Sequence, residues 1–172
     1  MENQVSSKSI ILNYGVYLGV ISVIMSLIVY ATGNHLQPHW AVNLISVLVM
    51  ITFIALGMGK FKSSNGGYMS WGKAVKNGMG IVLISMLITI LYLFLFINYI
   101  EPEFKTQTLE IAQQTWIDSN MTSEQVETTR KIADEYFSLS LYGSIIIMSL
   151  FFGFVISAIT GAIMKRSPEE QY

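Results

Sequence analysis

No cysteine occurs among the 172 residues, so disulfides, thiolate metal ligands and cysteine nucleophiles are excluded. Charge is scarce as well: Asp, Glu, Lys and Arg make up 12% of the chain and the net charge is −1. A soluble domain carries about twice that share of charged residues. No basic excess marks a nucleic-acid partner, and none is expected. What the chain has instead is apolar surface, 52% of its residues, with a mean hydropathy of +0.52.

The apolar residues are gathered into four runs without any Asp, Glu, Lys, Arg or His: 9–31, 40–59, 78–100 and 139–164. A helix needs about 20 apolar residues to cross the hydrocarbon of a bilayer, and each run reaches that length. In lipid the backbone must satisfy its own hydrogen bonds, so runs this long cross as helices, whereas a barrel shows shorter alternating segments. The expected fold is an all-α integral membrane protein, a single membrane domain over 1–172 built on a four-helix bundle. The first run is too long for a secretory leader and ends in VYATG without a small-residue cleavage pattern, so it is expected to be retained.

Short cytoplasmic loops collect Lys and Arg, which gives the chain a direction. Lys8 precedes the first run, Lys60, Lys62, Lys73 and Lys76 lie between the second and third, and Lys165 and Arg166 follow the fourth. The stretch from Glu101 to Ser138 has three basic residues against eight acidic ones, a net charge of −5. Both termini and the middle loop are therefore expected in the cytoplasm, with the acidic stretch outside. Pro102 should open a helix over about 102–118, and Thr122 with Gln125 has the spacing of a capping box for a second one. An external helical hairpin over about 102–138 follows, with Phe104, Ile111, Trp116 and Ile117 available between its arms. It either covers the bundle end or docks a partner.

Gly67 to Lys73 spells G-x-x-x-x-G-K, one residue short of a phosphate-binding loop. The next residue is Ala74, which cannot hold magnesium, and the preceding element is an apolar span, not a buried strand. Helical periodicity gives a different account of 68–77. Trp71, Ala74, Val75, Gly78, Met79 and Val82 fall on one arc, with Lys73, Lys76 and Asn77 opposite. Asn65-Gly66-Gly67 supplies a turn, Tyr68 and Trp71 sit at headgroup depth, and Lys73 and Lys76 either mark the cytoplasmic side or hold an anionic lipid.

Small residues four apart occur as Gly15-x-x-x-Gly19 and as Gly153-x-x-x-Ser157-x-x-x-Gly161. Such faces bring helix backbones close, either between two copies or within one bundle with the first span against the fourth. The polar residues inside the runs are mostly Ser and Thr, whose hydroxyls can return to the helix's own carbonyls. Without an intramembrane carboxylate, His or cation, an ion-coupled carrier lacks its usual mark. His35 and His39 lie four apart, but Pro38 opposes a helix there and no third ligand is near. No catalytic set, metal site or cofactor is expected.

Leu12-Asn13-Tyr14-Gly15, NGGYMSWGKAVKNG, Glu101-Pro102-Glu103-Phe104 and FFGFVISAITGAIMKR together resemble the bacterial membrane family known as domain of unknown function 4199, found mainly in Bacteroidota. The resemblance covers roughly residues 8 to 166 and implies a small inner-membrane protein of four helices. It assigns no functional residue. The expected role is a non-enzymatic subunit or scaffold acting through lipids, a second copy or another membrane protein; a small transporter or channel component is the alternative.

Overall fold

The computed structural model describes residues 6–166. The chain forms α1 (Ser7–Ala31), α2 (Trp40–Ser64), α3 (Trp71–Leu95), α4 (Phe104–Asp118), α5 (Ser123–Glu135) and α6 (Phe137–Met164). A single π turn, Phe96–Ile100, extends α3. Among the described residues no strand occurs, only an isolated bridge between Met69 and Arg166.

Helices α1, α2, α3 and α6 are long and apolar enough to cross a membrane, with mean hydropathies of 2.0 to 2.8 over their most apolar windows. At about 1.5 Å per residue each exceeds a hydrocarbon core of about 30 Å. Hydroxyls inside them bond to the preceding turn, Ser22 to the Leu18 carbonyl, Ser46 to Val42 and Thr52 to Leu48, all at 2.8 Å. These three hydroxyls are thereby satisfied without a partner helix, whereas Ser26 donates across to the Tyr92 hydroxyl of α3 at 3.2 Å. α3 starts seven residues before its uncharged run, so Lys73 and Lys76 lie on the spanning helix itself.

α3 is the centre of the bundle, in contact with α1, α2 and α6. One of its faces meets α1: a Cβ at Gly15 would lie 2.6 Å from the Ile84 Cβ, and one at Gly19 would lie 2.8 Å from the Ile88 Cδ1. Its other face meets α6, where a Cβ at Gly153 would come within 2.8 Å of Val82 and one at Gly161 within 2.9 Å of the Ala74 Cβ. Ser157 abuts Gly78 between these two points. The small-residue faces of the first and fourth spans therefore do not pack on each other, the pairing within one bundle that the sequence offered as one of two alternatives; each packs on α3 instead. α3 separates them because its residues form stripes at helical spacing, Ile84 and Ile88 towards α1 and Ala74, Gly78 and Val82 towards α6, with the Ile81 side chain against Gly57 of α2.

The buried core, built from Leu18, Ile54, Met58, Met69, Ala74, Ile81, Val82 and Ile156, sits in the half of the bundle nearest the basic loop. Every other buried residue of the spans, apart from Phe96, lies in that same half. Beyond it fewer residues of the spans are buried, and α4 and α5 stand over the opposite, acidic end. These two lie antiparallel: Lys105 at the start of α4 pairs with Asp134 at the end of α5 at 3.1 Å, and Arg130 donates to Gln113. Their buried apolar residues are Leu109 and Val126. Ile117, expected between the arms, is exposed, and Phe104 turns towards the bundle instead. Thr122 caps α5 with both bonds of a capping box, its hydroxyl accepting from the Gln125 amide at 3.3 Å and its amide donating to Gln125 Oε1 at 2.8 Å. α5 and α6 are separated by one non-helical residue, Tyr136.

Candidate functional site

At the basic end, Gly66 and Gly67 have φ of 66° and 84°, a left-handed turn that glycine adopts without strain. The Asn65 side-chain amide donates to the Tyr68 carbonyl at 2.8 Å and fixes this turn. Met69 then exchanges two backbone hydrogen bonds with Arg166, at 3.0 and 2.9 Å. The exchange sets the Arg166 guanidinium 5.9 Å from the centre of the Tyr68 ring. The Trp71 indole N–H donates to the Ala158 carbonyl at 3.0 Å, and Lys62 Nζ donates to the Met164 carbonyl at 2.9 Å. A cation on the last carbonyls of a helix also favours its dipole.

The turn after α2 thus works as a latch on the end of α6. Tyr68 and Trp71, expected at the lipid surface, each have a partner within the protein, although Trp71 keeps 46% of its surface exposed. Lys73 and Lys76 are exposed. Asn77 is a correction: placed with the lysines by periodicity, it is 2% exposed. Its Oδ1 accepts from the Ser7 hydroxyl at 3.0 Å and its Nδ2 donates to the Lys73 carbonyl at 2.8 Å. The first turn of α1 covers it and satisfies it. The turn leads into Met69, a single bridged residue, so the strand that a phosphate loop requires does not precede α3.

The acidic end holds a cluster that the sequence did not announce. Phe96, at the start of the π turn, is 4% exposed and meets Tyr30 and Phe104 edge to face at 5.1 and 5.9 Å. His35, from the loop after α1, enters this group 5.0 Å from Tyr30 and stacks on Phe104 at 6.3 Å. The Glu101 carboxylate ties three segments together by accepting from the Tyr30 hydroxyl and from Gln107 Nε2, both at 2.9 Å. Both His35 ring nitrogens are buried without a hydrogen-bond partner. His39 faces elsewhere and caps α2, its Nδ1 accepting from the Ala41 amide at 3.3 Å. The two imidazoles do not converge, and among the described residues no group of three His, Cys, Asp or Glu is placed to hold a metal.

The clues to this cluster were present but scattered. Tyr30 and Phe96 end two spans, and Glu101 follows the third. Only the π turn, which adds a residue to one helical turn, re-aims Phe96 and Glu101 towards the loop after α1. On the exposed face of α5, Lys131 donates to Glu127 at 2.7 Å and holds that carboxyl below the usual glutamate range.

Four apolar spans around a central helix, a latched basic end and a pair of charged helices over the other end define a polytopic α-helical membrane protein. The chain belongs to the family described as Protein of unknown function (DUF4199), whose model matches residues 13–166. That match takes in both the latch and the aromatic cluster. No curated protein and no solved structure matches the chain.

Proposed function

We propose that this chain is a non-enzymatic subunit of the inner, cytoplasmic membrane, with both termini and the basic latch in the cytoplasm and α4–α5 outside, working through contact with another membrane protein. The observation that carries this is the uneven packing of the bundle. Its basic half holds the glycine-mediated contacts and the buried core, while the acidic half buries little between its spans and carries an apolar ridge beside the charged helices. Ile132, Tyr136 and Leu139 form a ridge from α5 into α6, with 55%, 51% and 71% of their surfaces exposed. They lie at positions i, i+4 and i+7, so one partner helix lying along α6 would meet all three. A ridge that runs from the charged pair into a spanning helix is suited to a partner that is itself embedded.

The filled core argues against a conduit. Ile54, Met58 and Ile81 have no exposed surface at the centre of the basic half, and no charged side chain accompanies them. The polar groups buried in that half, Asn77, Ser85 and Ser157, are uncharged, so an ion crossing there would meet no opposite charge.

The experiment is photo-crosslinking in native membranes from a benzoylphenylalanine at position 139 and, as control, at position 87 on α3. The expected result is a discrete adduct from position 139 and none from 87. Only uncrosslinked monomer from both positions would refute the proposal, and flux of an ion or solute through the purified chain in liposomes would replace it with a transport function.

A further inference from the structure

The outer ends of α4 and α5 enclose a cleft of about 370 Å³. Two local closures shape it. Asn120 takes φ 61°, its amide donates to the Ile117 carbonyl at 2.9 Å and the Met121 amide to the Trp116 carbonyl at 3.2 Å, which folds Met121 back onto the end of α4. The capping box at Thr122 then starts α5, so Ser123, Val126, Glu127 and Arg130 share one face at i, i+3, i+4 and i+7. Gln113 and Ile117, four apart on α4, form the opposite wall.

The lining combines an apolar floor with one cation. Met121, Val126 and Ile117 supply the floor, and Ile117 keeps 48% of its surface exposed. The three basic residues of the outer segment differ in what they meet. Lys105 pairs with Asp134 and Lys131 with Glu127, so each of those charges is answered within the chain. Arg130 has no carboxylate partner among the described residues; its Nη1 donates to the neutral side chain of Gln113. Its Nε and Nη2 have no partner either, and neither is among the buried unpaired atoms of the chain, so this edge of the guanidinium is accessible. The edge presents two parallel N–H donors, which match the two oxygens of a carboxylate. A carboxylate also brings one negative charge to one unpaired positive charge. A phosphate monoester would bring more, next to Glu127 in the same cleft.

We propose that this cleft binds an apolar α-carboxylate, the group shared by a free amino acid such as leucine and the last residue of a peptide. The carboxylate accepts two hydrogen bonds from Arg130, and the side chain lies on Ile117, Met121 and Val126. The volume suits a small ligand. None of these residues belongs to the ridge of Ile132, Tyr136 and Leu139.

The test is saturation-transfer NMR on the full chain in phospholipid nanodiscs with leucine, N-acetyl-leucine and the amide of each. The amides keep the side chain and lose the carboxylate. Non-specific uptake favours them, the acetylated amide through lipid and leucinamide through its positive charge on an acidic segment. The better acid should bind with a Kd of about 1 mM, at least about tenfold tighter than its own amide. Arg130→Gln, which keeps a donor for Gln113, should bring that acid down to its amide; Lys105→Gln, outside the cleft, should change neither. The tighter of the two acids tells whether the site takes a free amino acid or a peptide end. Equal binding of both acids and their amides, or no binding by either acid, would overturn the proposal. If Arg130→Gln does not fold, the acids and amides on the unmodified chain decide the matter alone.

Discussion

A single methyl group tests how these helices meet. At Gly15 it would press on the Cβ of Ile84, an atom that no rotamer change can move, so Gly15→Ala must push α1 away from α3. We expect a loss of about 1–3 kcal/mol, read as a lower melting temperature in detergent. Gly143→Ala, on an open face of α6 with nothing within 4 Å, should leave the melting temperature unchanged or raise it. At the latch, Trp71→Phe keeps an aromatic ring, smaller than the indole, and removes the bond to the Ala158 carbonyl, at an expected cost of about 1–2 kcal/mol in the same assay. Residue identity carried part of this. Gly15, Gly19, Gly153, Ser157 and Gly161 are visible as close-approach positions, yet small size states how near a neighbour comes and not which neighbour it is. Asn77 was misplaced for a similar reason. Its angular position was right, but periodicity separates only two environments, and the first turn of α1 supplied a third.

Helix extents were legible where the physics is local. Four uncharged runs became four spans because lipid leaves the backbone no other choice, and Thr122 with Gln125 became a cap because the pairing closes within one turn. Thr122→Ala should remove both capping bonds and cost about 1 kcal/mol locally. Hydrogen exchange at the first amides of α5 should accelerate while α4 stays unchanged. The π turn was not legible, since nothing in FINYI separates it from the helix before it. Its consequence is testable through Glu101, the junction of α1, α3 and α4. Glu101→Ala should release the Tyr30 and Gln107 bonds and speed exchange in the first turns of α4, leaving the basic end protected. Uniform loss of protection at both ends would show that the cluster does not act locally.

For the molecule as a whole, the decisive feature is its polarity: a closed, glycine-packed, basic half and a looser half beneath two charged helices. Lys and Arg counts suggested opposite sides for the two ends, but the confinement of the core to one half depends on where α3 presents its branched and small residues, which hydropathy does not encode. The absence of cysteine makes the polarity directly measurable. Ser63→Cys and Ser119→Cys, both at exposed positions, each introduce the sole thiol of the chain. With a membrane-impermeant maleimide added to intact spheroplasts, position 119 should label at once and position 63 only after permeabilisation; labelling of both from the same side would contradict the account.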